Sequence, residues 1–78
     1  MRKDQYEIIF TRHALKRAFG RRIDPDLVED TISTGKMLRF GKNRVKIFKR
    51  FRDKEIICID EIRGHIIKIV SIASRVRR

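Results

Sequence analysis

Apolar residues recur along this chain with two different periods, and the change between them divides it into a helical first half and a sheet-forming second half. From Thr11 to Gly35 they fall three or four residues apart, as an amphipathic helix requires. Ala14, Leu15, Ala18 and Phe19 make one such run, and Leu27, Val28, Thr31 and Ile32 the next. Each run carries its own start signal. Thr11 can cap the first helix with its hydroxyl, and Phe10 with Leu15 has the spacing of a hydrophobic staple. Asp24 caps the second, Pro25 fits the first helical position where no N–H is needed, and Ile23 with Val28 repeats the staple. These signals predict helices over residues 12 to 20 or 21 and over 25–33, the second stopped by Gly35 in a left-handed conformation. Residues 5–10 read as a short strand or an extended lead-in.

Beyond Lys36 the pattern shortens to β runs separated by turn residues. Gly41-Lys42-Asn43, Arg52-Asp53-Lys54 and Arg63-Gly64 are the turns, which leaves strands near 37–40, 44–51, 55–62 and 65–72. Three short connections in succession predict an antiparallel meander, and the last two strands, apolar on nearly both faces, should be central. The expected architecture is α+β: two N-terminal helices packed on a twisted four-stranded antiparallel β-meander, one domain over residues 1–78, with residues 75–78 as a tail.

Composition bounds the function. A chain of 78 residues holds one modest core, so a partner or a homodimer contact would help to stabilise it. Cys58 sits in the apolar run Ile56-Ile57-Cys58-Ile59 and reads as a small buried hydrophobe. Two distant histidines and one cysteine make no metal site, and no cofactor is expected. No apolar stretch approaches the roughly 20 residues of a membrane span, and the first ten residues lack a signal-peptide core. A soluble, cytoplasmic protein without membrane contact is expected.

Charge changes the picture most. Twenty-one Lys and Arg stand against ten Asp and Glu, a formal +11. A surface merely dense in both signs would be near balance, so this excess points to a polyanion, with RNA or the ribosome first. Between Lys36 and Lys54 there are nine basic residues and one acid, Asp53. Within that segment, strand alternation places Arg44, Lys46, Phe48 and Arg50 on one face, with Val45, Ile47 and Phe51 on the other. Cations around an aromatic ring suit single-stranded RNA, although Phe48 in the core and lysines guarding an edge strand would give the same pattern.

On the first helix His13, Arg17 and Arg21 fall at i, i+4 and i+8 along one edge. An imidazole can exchange protons near neutral pH, and guanidinium groups can hold the oxygens of a phosphodiester. The same spacing also describes a solvated helix flank. His65, at the start of the last strand, could complete an acid/base pair with His13, and Arg75 could reach the same cleft. Four of the ten acids, Asp24, Asp26, Glu29 and Asp30, lie on the second helix, marking a side turned away from nucleic acid.

The segment from Phe10 to Ile23 resembles the opening of a family of small domains whose first helix reads His-Ala-x-x-Arg-x-x-x-Arg-Gly-Ile. Here His13, Ala14, Arg17, Arg21 and Ile23 match, and Arg22 stands where that family has glycine. The family is similar in architecture to the RelE and ParE toxins and the barnase-like ribonucleases. The resemblance implies two helices on an antiparallel sheet with nucleic acid on its concave side. It also implies metal-free cleavage by attack of a ribose 2′-hydroxyl on the adjacent phosphate, in a superfamily that includes members without that activity. The expected function is an RNA-binding, toxin-type domain acting as a metal-independent endoribonuclease, with an acidic antitoxin protein as partner. In that expectation His13 is the acid or base, Arg17 and Arg21 stabilise the phosphate, and Lys46, Phe48 and Arg50 hold the strand. The alternatives are a non-catalytic RNA-binding module and a protein-interaction domain for an acidic partner.

Overall fold

A computed structural model describes residues 2–76, the side chain of Arg2 excepted. The elements are β1 (Arg2–Lys3), β2 (Tyr6–Phe10), α1 (Arg12–Gly20), α2 (Pro25–Thr34), β3 (Lys36–Phe40), β4 (Arg44–Arg50), β5 (Lys54–Arg63) and β6 (Ile66–Val76). Both helix starts follow from their caps. The Thr11 hydroxyl accepts from the Ala14 N–H at 3.1 Å, and the Asp24 carboxylate accepts from the Asp26 N–H at 2.9 Å. At the end of α1, Arg22 N–H donates to Phe19 and Ile23 N–H to Ala18, which closes a Schellman turn with Arg22 at φ +55°.

Gly35 does not end α2 in a left-handed conformation as expected; its φ is −73° and its ψ 170°. The requirement there is space. A Cβ on Gly35 would meet the Thr31 carbonyl oxygen and would lie 2.6 Å from that of Phe48. Left-handed glycines occur instead in the two tight turns, at Gly41 and Gly64.

The sheet is not the expected four-stranded antiparallel meander. Its order is β1-β2-β6-β5-β4-β3, six strands if the two-residue β1 is included, and it is mixed. The meander from β3 to β6 is antiparallel, but β2 lies parallel beside β6, with Glu7 opposite Ile66 and Phe10 opposite Ile69. The physical reason is backbone pairing: β5 satisfies one edge of β6, and the opening strand satisfies the N–H and C=O groups of the other while burying Ile8 beside Ile67. β5 and β6 thus sit mid-sheet. β6 also runs to Val76, so Arg75 and Val76, expected in a tail, are paired with Glu55 and Lys54, while residues 77 and 78 lie outside the described residues.

Ile8, Val45, Ile47, Ile56, Cys58, Ile62, Ile67, Ile69 and Ile72 form the inner face, covered by Ala14 and Ala18 of α1 and by Val28 and Ile32 of α2. The sheet curls round α2. Lys3 Nζ, on one margin, donates to the carbonyls of Ser33 and Gly35, which lead directly into β3 on the other margin. Helix α2 therefore occupies the concave side, and the face without helices is the outer one.

Candidate nucleic-acid interface

Strand pairing assembles the helix-free face row by row. Phe48 stands between Lys36 of β3 and Ile57 of β5; Lys46 stands between Leu38 and Ile59; Arg44 stands between Phe40 and Glu61. Lys68 of β6 lies opposite Glu61, and Arg75 lies opposite Glu55, which is itself opposite Arg50. Directly paired residues share a face, so these rows make one surface: two aromatic rings and several aliphatic side chains with cations among and around them. Lys46 Nζ lies 4.8 Å from the centre of the Phe48 ring, a cation–π contact that holds the charge over the aromatic face. Leu38 and Phe40 are 55% and 43% exposed, so the margin of this surface offers bare apolar area to a ligand.

Two shallow clefts flank the centre. One, of about 380 Å³, has Lys36, Phe48 and Arg50 in its wall and reaches round the sheet margin to Thr34 and Lys49; the other, of about 370 Å³, has Phe40, Lys42, Arg44 and Arg63 together with the acid Glu61. They lie toward opposite ends of β4. Arg50 is mostly exposed and makes a 3.3 Å contact with Glu55, a surface pair of small energetic worth that leaves the guanidinium open to an anion. Lys49 points to the other side, where its ammonium meets Asp30 at 2.8 Å and holds that carboxyl below its ordinary value.

The structure brings Arg44, Lys46, Phe48, Arg50 and Arg75 together on this face and leaves the other predicted residues off it. His13 and Arg17 are exposed on α1, which packs against the opposite face of the sheet. Arg21 is committed locally, with Nη1 donating to the Ile72 carbonyl at 3.1 Å. His65 is exposed in the turn before β6, where its carbonyl accepts from Glu7 N–H. His13 follows the far end of β2, so the stretch paired from Glu7 to Phe10, about 10 Å of strand, separates the two histidines. They do not form an acid/base pair on one phosphate. The concave side, where the resemblance places nucleic acid, is filled by α2.

Lys36, Phe40 and Lys68 were not singled out from sequence. Alternation in Lys36-Met37-Leu38-Arg39-Phe40 aligns Lys36 with Phe40, but only the register with β4 shows that they flank Phe48 and Arg44. Compared with models of known protein families, with curated proteins and with solved structures, the chain matches none.

Proposed function

We propose that this protein binds single-stranded RNA across the helix-free face of its sheet, as a binding module whose phosphate and base contacts come from different residues of the same rows. The observation that carries this reading is the interleaving of Phe40 and Phe48 with Lys36, Arg44, Lys46 and Arg50 on one surface, where Phe48 and Lys46 are half-buried and the other four exposed. An unstacked base can lie on the exposed Phe40 ring, and another on Phe48 when Lys46 moves from the ring face to a phosphate, while other phosphates meet the remaining cations. A duplex offers no free base faces to such a platform, so single strands are the expected substrate class.

Fluorescence anisotropy with a labelled single-stranded oligonucleotide tests it. Phe48→Ala should weaken binding by about tenfold or more, the cost of one stacked base. Arg17→Ala, on the opposite side, should leave affinity within about twofold. If Arg17→Ala and Phe48→Ala weaken binding equally, the helix-free face is not the binding surface. The same samples, run on a denaturing gel, examine the cleavage that the family resemblance implies. RNA cut by the parent and spared by His13→Ala would replace this reading with the nuclease one.

A further inference from the structure

The side of the molecule away from the proposed RNA face carries a feature which that function does not use. A cleft of about 350 Å³ lies between α1 and α2, floored by Ile72 and walled by Leu15 and Phe19 on one side and Pro25, Val28 and Glu29 on the other. Phe19 is 67% exposed and Leu15 41%, so a large aromatic stands beside an apolar cleft with little covering it.

The charges on the two walls identify the occupant. Helix α1 carries Arg12 and Lys16 on the side of Leu15 and Phe19, and no acid. Helix α2 carries Asp26 and Glu29, and no base. Among the described residues neither Lys16 nor Glu29 has an ion-pair partner in its own chain. A surface with one basic and one acidic wall is complementary to itself after a two-fold rotation, because the basic helix of each copy then faces the acidic helix of the other. An acidic partner would be repelled by α2, and a basic one by α1. The overall +11 does not oppose this pairing strongly. Residues 12–34 hold five bases and four acids, so ten of the eleven net charges lie elsewhere in the chain.

We infer that the α1–α2 cleft is a homodimer interface in which Phe19 of each copy seats between the helices of the other, with Arg12 and Lys16 set against Asp26 and Glu29. The helices are nine and ten residues long, so the shared face is small and the dimer is reversible, its population following concentration. Both helix-free faces point outward in such a pair.

Sedimentation of the full chain, freed of nucleic acid and followed over a wide concentration range, decides it. The parent should rise from one chain mass toward two. Phe19→Ser should raise the dissociation constant at least tenfold, and its thermal melt should stay close to the parent's because the ring is exposed. Lys16→Glu and Glu29→Lys should each be monomeric alone, and an equimolar mixture of these two should dimerise, since one helix pair in the mixed dimer is native and the other is charge-reversed. A parent that remains monomeric at every concentration overturns the inference. So does a mixture that fails to associate, or a dimer indifferent to Phe19→Ser but abolished by Leu38→Lys on the sheet margin.

Discussion

Among the described residues Asp60 is the one fully buried carboxylate, and neither of its oxygens has a hydrogen-bond partner. It projects inward from β5 between Cys58 and Ile62, opposite Val45 on one side and Ile69 on the other, where the register slips and Val70 is left unpaired. Burial pushes its carboxyl up to about 8, and the same burial, with Asp60 nearby, pushes the Cys58 thiol up to about 12. The folded protein therefore holds the Asp60 proton more tightly than the unfolded chain does. The contribution of Asp60 to stability is fully present below the carboxyl's ordinary value of 3.8, falls as pH rises from there to about 8, and levels off above. Within that window this group costs about 1.4 kcal/mol per pH unit at most. Asp60→Val should raise stability at neutral pH by roughly 1–4 kcal/mol and flatten that slope, as read by urea denaturation between pH 5 and 9. Equal slopes in parent and variant would remove this account. The two-residue period already places Asp60 in line with Ile56, Cys58 and Ile62, but the adjacent Asp60-Glu61 pair reads as a strand reaching solvent, so its burial was not legible from sequence.

At the scale of elements, local chemistry made the helices readable and pairing made the sheet unreadable. Thr11, Asp24 and Pro25 act within one turn of where they stand, and turns such as Gly41-Lys42-Asn43 join strands that must be neighbours; each of these is decided by adjacent residues. The parallel union of β2 with β6 has no local signature, because the strands it joins are about sixty residues apart. The junction of the helices is a second case. Arg22 adopts φ +55°, a conformation that costs a side chain about 1 kcal/mol relative to glycine, and it stands where the resembled family has glycine. Arg22→Gly should therefore stabilise the fold by about 0.5–1 kcal/mol in denaturant titration. A loss of stability would mean that the arginine side chain contributes more than its backbone costs.

For the whole molecule, the one-sided charge was legible and its distribution only in part. Alternation alone separates Lys46 and Phe48 from Val45 and Ile47, and helices pack on apolar faces, so the lysine stripe and the helix-one stripe had to fall on opposite sides of the sheet. Those two facts together exclude a shared groove for His13 and the β4 cations; taken singly, each leaves it open. In the proposed binding mode phosphates meet the cations of this face, so the logarithm of RNA affinity should fall linearly with the logarithm of salt concentration, and Lys46→Ala should make that slope shallower by about 0.7. A slope near zero would count against phosphate recognition.

The parallel seam between β2 and β6 also governs when this protein can fold. Helix α1 rests chiefly on β6, and β2 has no partner of comparable length until Ile66 to Ile69 are available. During vectorial synthesis the early segments must wait for the late ones, and loop-closure entropy makes that meeting slow. The native sheet can thus close only once β6 has been synthesised, and until then β2 and α1 lack the strand they chiefly pack against.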